Sequence, residues 1–315
     1  MAWEYEGLFD ALPSEAGQDL LSEYWRSEAT TTRIGSMGYR TRTTKAGTRL
    51  EAEVYPIYGR SQEQTARSAR KNMTPERQSQ LNVRRAKRRL ILLMEENFRE
   101  EEDSFVTLTY AEEPTMQRCR KDVRNFMNRV RRLREKKGLP ELKYIYAIGH
   151  DKDQRIHVHA VMTGGITQKE LVTLWGKGIV NSYLIQSYGK GLQGLANYLY
   201  KQNEKAKDAG ERMYCHMWCG SRNLKKPKEH ISDTKMPNRK VKKIALSFGA
   251  IGREIMEKTY PGYALEECRV MFSDVVDGAY IRCVMRKKEE DHGQFRKKQK
   301  RLEDAEGQAG DGGVC

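Results

Sequence analysis

The sequence is short of everything that would place it in a membrane or a disulfide-stapled scaffold. Apolar runs stay as short as Leu90–Met94, far below the roughly 20 residues of a membrane-spanning helix. Met1–Glu15 carries acids where a secretory leader needs a basic start and an apolar core. The chain is therefore expected in the cytoplasm, with no membrane partner. Six cysteines in 315 residues are too few for a disulfide framework. Cys215, His216, Cys219 and His230 come nearest to a zinc pattern but lack a clear second ligand pair, so reduced thiols are the simpler reading. No glycine-rich loop ends in Lys-Ser or Lys-Thr, which removes a phosphate-loop ATPase. Acidic residues are also in deficit: 43 Asp and Glu face 58 Lys and Arg, for a net charge of +15. Such an excess points to a polyanion, most often nucleic acid, without naming an activity.

What is present reads as an α+β chain of enough length for a buried core. Residues 1–72 form a leader, with a helix near Gly17–Arg26, and a β-hairpin whose turn falls at Lys45–Thr48. A basic helix covers 73–100, capped by Thr74 with Pro75 at its first position. Residues 101–205 form a core. It begins with the strand Phe105–Tyr110, followed by a helix on which Val123, Phe126, Met127, Val130 and Leu133 make one apolar stripe. Strands at Tyr144–Gly149 and Arg155–Thr163 follow, then a helix capped by Thr167, a strand at Val180–Ile185 and a helix at Gly191–Lys205. Residues 206–285 supply a helix over Ile244–Lys258 and a hairpin turning at Asp277-Gly278. Residues 286–315 read as a disordered basic tail.

His157-Val-His159 is the strongest local signal. On a strand, residues two apart share a face, so the two imidazoles form a natural pair of metal ligands. His150 ends the preceding strand across a short hairpin and can complete the set. The competing reading is two ordinary polar residues on a solvated face. The second signal is Tyr198-Leu-Tyr-Lys201. Tyr198 and Lys201 share a helix face and Tyr200 points elsewhere. A phenol becomes a useful nucleophile when a metal-bound phosphate and an ammonium favour its anion. The competing reading is a pair of packed aromatics.

The ordered series Phe105-Val-Thr-Leu-Thr-Tyr110, His157-Val-His159 and Tyr198-Leu-Tyr-Lys201 resembles the three motifs of the HUH endonucleases, the rolling-circle replication initiators. It is most similar to Rep proteins of small phages, plasmids and integrative elements of Gram-positive bacteria. Stretches like Leu81–Lys87 with Asn97-Phe98, and like Ser221–Pro227, flank the motifs there. The resemblance implies a central antiparallel five-stranded sheet with flanking helices, here with basic extensions at both ends. It places motifs one and two on adjacent middle strands and lays the Tyr198 helix across the metal face. It implies a metal-dependent single-strand DNA endonuclease and strand transferase. Tyr198 would attack origin DNA to leave a 5′-phosphotyrosine and a free 3′-OH, and Lys201 would position the phosphate. His157, His159 and His150 would hold Mg²⁺ or Mn²⁺. Many relatives have Glu where this chain has His150, and imidazole favours the softer Mn²⁺; Asp151, Asp153, Glu112 and Glu113 are substitutes. Arg84, Arg85, Arg88, Arg124 and Arg131 would contact DNA. A host helicase and DNA polymerase are implied partners. One nucleophile per chain makes a homo-oligomer, or a second cycle, the way to finish a round. The alternatives are another HUH enzyme, transposase or relaxase (the relaxase tyrosine usually precedes the histidines), and a non-catalytic basic DNA-binding protein.

Overall fold

The computed structural model describes residues 38–57, 75–150, 155–186, 191–208, 218–272 and 278–288; the side chains of 75–77, 150 and 202–208 lie outside the description. The helix expected near 17–26, the Thr74 cap, the Cys215 and His216 thiol–imidazole pair and residues 289–315 lie outside the described residues.

The elements run β1 (Gly38–Ala46), β2 (Arg49–Ile57), α1 (Pro75–Asn97), β3 (Ser104–Leu108), α2 (Met116–Lys136), β4 (Tyr144–His150), β5 (Ile156–Met162) and α3 (Gln168–Trp175). They continue with β6 (Val180–Leu184), α4 (Gln193–Asp208), β7 (Cys219–Gly220), β8 (Lys228–Ser232), α5 (Asn238–Leu246), α6 (Gly252–Thr259), β9 (Tyr263–Phe272) and β10 (Ala279–Lys287).

One antiparallel sheet has the order β6-β3-β5-β4-β7, so the first two motifs occupy adjacent strands at its centre. Alternation along β5 sorts its side chains. Ile156, Val158, Ala160 and Met162 are buried with Val123, Phe126 and Val130 of α2 and Trp175 of α3. On the opposite face Val161, with Ala147 and Ile145 of β4, packs against Leu90 and Met94 of α1 and Ala196 and Leu199 of α4. Thr115 caps α2 by accepting from Arg118 N–H at 3.2 Å. Thr167 and Glu170 form a capping box for α3, which stops at Gly176 in the left-handed region. The Trp175 indole N–H donates to Thr109 O at 2.7 Å, tying the end of β3 to α3.

A second antiparallel sheet, β8-β1-β2-β10-β9, has no counterpart in the sequence expectation. It joins the N-terminal hairpin to strands from beyond residue 227. On one face Leu50, Val54, Ile281 and Met285 pack under Val241, Ile244 and Met256 of α5 and α6. The other face carries a buried ionic cluster against α1. Glu51 binds Arg88 at 2.7 Å, Arg49 at 2.9 Å and Arg282 at 3.4 Å, and Glu53 binds Arg88 at 2.9 Å.

Three expectations need correction. The helix expected over Ile244–Lys258 is two helices, because the chain reverses through Phe248 and Gly249, both at positive φ. Gly252 then lets α6 press onto β9, where a Cβ would come within 2.7 Å of Cys268 Sγ. Arg286 and Lys287, placed in the tail, are strand residues of β10. The hairpin expected from Val270 begins earlier, at Tyr263; its Asp277 lies outside the described residues.

Candidate active site

The catalytic-type side chains meet on the β5 face that α4 covers. In register, Thr107 of β3 and Ala147 of β4 lie on either side of His159, and Gly149 lies opposite His157. The two imidazole rings have centroids 4.7 Å apart and stand nearly edge to face. Phe105 stacks on His159 at 5.5 Å and meets Tyr198 edge-on at 6.0 Å. The Tyr198 hydroxyl lies 3.3 Å from His159 Nε2. The late helix thus sets its phenol over the imidazoles of the earlier ribbon. Tyr198 is 42 % exposed, so its oxygen remains open to a large substrate.

His159 is buried, and burial, helped by the charge of His157, pushes its pKa down to about 4. It is therefore neutral near pH 7, the state a metal ligand requires. Thr107 Oγ1 is 3.0 Å from His159 Nδ1. In the tautomer with the proton on Nδ1, the imidazole donates to Thr107 and turns the Nε2 lone pair toward the phenol and solvent. Burial raises the Tyr198 pKa above that of a free phenol, so the hydroxyl is protonated at rest. Thr107 is the residue that sequence reading missed. Only the β3–β5 register puts it opposite His159, and nothing local in Phe105–Tyr110 distinguishes it from Thr109.

Among the described residues no three His, Cys, Asp or Glu side chains converge on a point. The described donor set is His157 and His159. Their chemistry fits a divalent ion: two imidazoles on one rigid strand, one of them neutral and oriented from behind. His150 closes β4 and pairs with Ile156 across the ribbon, but its side chain, like Asp151 and Asp153, lies outside the description. Glu113 is engaged elsewhere, accepting Ile156 N–H at 2.9 Å. Replacing Thr107 with Val keeps the shape and removes the bond to Nδ1. Mn²⁺ affinity measured by calorimetry should fall about 10- to 100-fold, the usual effect of losing such a support.

Lys201 is exposed on α4, one turn beyond Tyr198. Tyr200 is buried in the core between α4 and the sheet, with Lys87 Nζ 4.7 Å from its ring centre. The arginines divide. Arg84 and Arg85 are exposed on α1. Arg88, expected on DNA, is instead committed to Glu51 and Glu53. Arg124 and Arg131 are exposed on α2, which covers the opposite face of the sheet from the histidines. Arg134, from the same basic run, is buried and donates to the carbonyls of Pro140, Thr163 and Gly164.

The second sheet reaches the site through the start of α4. Buried Glu95 accepts Leu192 N–H at 3.0 Å and pairs with Arg286 at 3.4 Å, while Arg49 donates to Gln193 at 2.8 Å. Gly191 is required there: its φ is +60°, and a Cβ would lie 2.3 Å from Arg286 and 2.4 Å from Glu95. An open groove of about 920 Å³ runs from Tyr198 and Asn197 to Arg253, Glu266 and Val284. No described helix is long and apolar enough to cross a membrane.

Residues 103–207 match the family model of the ORF2-type replication-associated proteins. No curated protein and no solved structure matches the chain.

Proposed function

From a chain that contains a replication-associated domain of the ORF2 type, within the HUH/Rep superfamily, we propose a rolling-circle replication initiator that cuts and rejoins single-stranded origin DNA through Tyr198. The observation that carries this reading is the placement of the Tyr198 hydroxyl 3.3 Å from His159 Nε2, on a face shared with His157.

His157 and His159 would hold Mg²⁺ or Mn²⁺, with His150 as the third ligand. A divalent ion there supplies Lewis-acid polarisation of the scissile phosphate. The protein's own residues do the rest. Phe105 and Thr107 hold the His159 ring in place. The Tyr198 oxygen loses its proton and attacks phosphorus in line. The bond to the 3′ oxygen breaks, that oxygen takes up a proton, and the 5′ phosphate stays on the tyrosine. Reversal by a 3′-OH rejoins the strand with no nucleotide cofactor, because the phosphotyrosine conserves the ester bond. Lys201, one turn along the helix, offers an ammonium to the phosphate. Arg84 and Arg85 offer charge to the strand on the same side of the sheet. Extension of the free 3′-OH and opening of the duplex fall to a host DNA polymerase and helicase, and a second subunit or a second cycle closes the round.

The reading is tested by incubating the full chain with Mn²⁺ and single-stranded oligonucleotides from its replicon, then sequencing the DNA-linked peptide by mass spectrometry. The modified residue is expected to be Tyr198. A link at any other residue, or none with any origin strand, rejects it.

A further inference from the structure

The site's sheet has a bare end. α4 and α1 cover the catalytic face over β4 and β5, but among the described residues no element covers it at β6. Antiparallel register carries that face outward residue by residue. His159 lies opposite Thr107, Thr107 opposite Asn181, and Phe105 opposite Tyr183. Thr109 N–H donates to Ile179 O, which continues the same row. Ile179, Asn181 and Tyr183 therefore stand on the side of the sheet that holds His159 and Tyr198. Their partners of opposite parity do not: Val180 is buried beneath α2 and α3.

These side chains are unusually open for an edge strand. Ile179 is 68 % exposed and Tyr183 65 %, and Asn181 is exposed too. Adjacent strands lie about 4.8 Å apart, so this row is about 10 Å from β5, two strand spacings. Phe105 bridges the gap, stacked on His159 on one side and paired with Tyr183 on the other. An aromatic track thus runs without a break from the nucleophile to the sheet edge: Tyr198, Phe105, Tyr183.

We propose that this strip of β6 seats bases of the strand being cut, with Tyr183 as the stacking platform and Asn181 as a hydrogen-bonding neighbour. The inference rests on the single-strand nicking reading and extends it to the substrate's bases. Three features favour nucleic acid over a protein partner. The strip is continuous with the phosphate-reacting centre. The chain carries a net charge of +15. An exposed Tyr beside an exposed Asn offers a π-face and an amide, which suit a base better than an apolar side chain.

The test uses the full chain, without metal, and fluorescein-labelled oligothymidylate of about 20 nucleotides, read by anisotropy. Stacking on an aromatic side chain commonly changes affinity by about tenfold or more. Tyr183→Ala should therefore bind about tenfold more weakly, while Tyr183→Trp should bind at least as well as the native chain and shows that the position tolerates change. An abasic oligomer of the same length should bind Tyr183→Ala and native protein equally. The slope of log affinity against log salt should stay the same, since no phosphate contact is lost. Equal oligothymidylate affinity for Tyr183→Ala overturns the proposal. So does an altered oligomeric state without an altered affinity, which would make the strip a protein contact. The nicking reading fails separately: if no covalent adduct ever forms yet Tyr183 still governs base-dependent binding, the platform survives and the chemistry does not.

Discussion

Tyr198→Phe is expected to abolish the covalent protein–DNA adduct, lowering its rate by on the order of a thousandfold or more. The substitution removes one oxygen and leaves the ring. Phe can keep the edge-to-face packing against His159 at 5.2 Å and Phe105 at 6.0 Å, so the helix should not move. Because the hydroxyl sits at an open site, thermal stability should change little. Electrophoresis of the labelled 5′ fragment after denaturation reads the adduct directly. Tyr200→Phe is the control. Tyr200 is only 1 % exposed, with Lys87 of α1 over its ring; it cannot meet a phosphate, and its loss should leave the adduct intact. His157→Ala and His159→Ala should lose the adduct together with bound Mn²⁺, whereas Tyr198→Phe should lose it alone. If Tyr198→Phe still forms the adduct, Tyr198 is not the nucleophile.

Glu51→Ala should destabilise the fold by about 3–5 kcal/mol, the range for breaking a buried ion pair from one side. The Glu51 side chain is 1 % exposed and is the shared acceptor of Arg49, Arg88 and Arg282. Its removal leaves three guanidinium groups at a dry junction with only Glu53 between them. Burial works to raise the Glu51 pKa, but Arg88, Arg282 and Arg49 together outweigh it and hold the carboxyl at about 2. The sign follows. A carboxyl ordinarily near 4.5 and depressed to about 2 in the folded chain stabilises fully above 4.5. That stabilisation is lost as pH falls from 4.5 through about 2. Glu53 works the other way, since burial and the neighbouring Glu51 charge raise its pKa. Urea unfolding midpoints should therefore show a smaller acid-induced drop in Glu51→Ala than in the native chain between about pH 4.5 and 2.5. An equal drop would mean that Glu51 does not carry this linkage.

The parts of the molecule that sequence reading reached are those with a long local period. The α2 stripe repeats along the whole helix, and the β5 alternation fixes both the apolar face and the His-x-His face within seven residues. The tyrosine helix and the motif strands follow from the same local rules. What escaped depends on distant pairing. The five residues of β8 show no alternation, and they form a strand only because Arg42 and its neighbours in β1 pair with Ile231 and its neighbours. Phe248 turns the chain at φ 49°, a conformation bulky residues rarely signal. Arg88 reads as a DNA contact because Glu51 and Glu53 look solvated on an alternating strand; only the packing of α1 on the second sheet buries them. Thr107 likewise gains its role from a strand 52 residues away.

The family match ends at residues 103 and 207, but the packing does not respect those limits. Leu90 and Met94 of α1, with Phe98 just past its end, cover the catalytic side of the sheet, and β7, beyond the match, pairs with the outer edge of β4. A fragment cut to the matched span would carry Tyr198 on a helix stripped of its apolar neighbour and of the Glu95 anchor at its start. The smallest excisable nickase unit is thus longer than the recognisable motif block. It must retain α1 through β7, and a truncation made on sequence similarity alone would yield a sticky, poorly soluble piece.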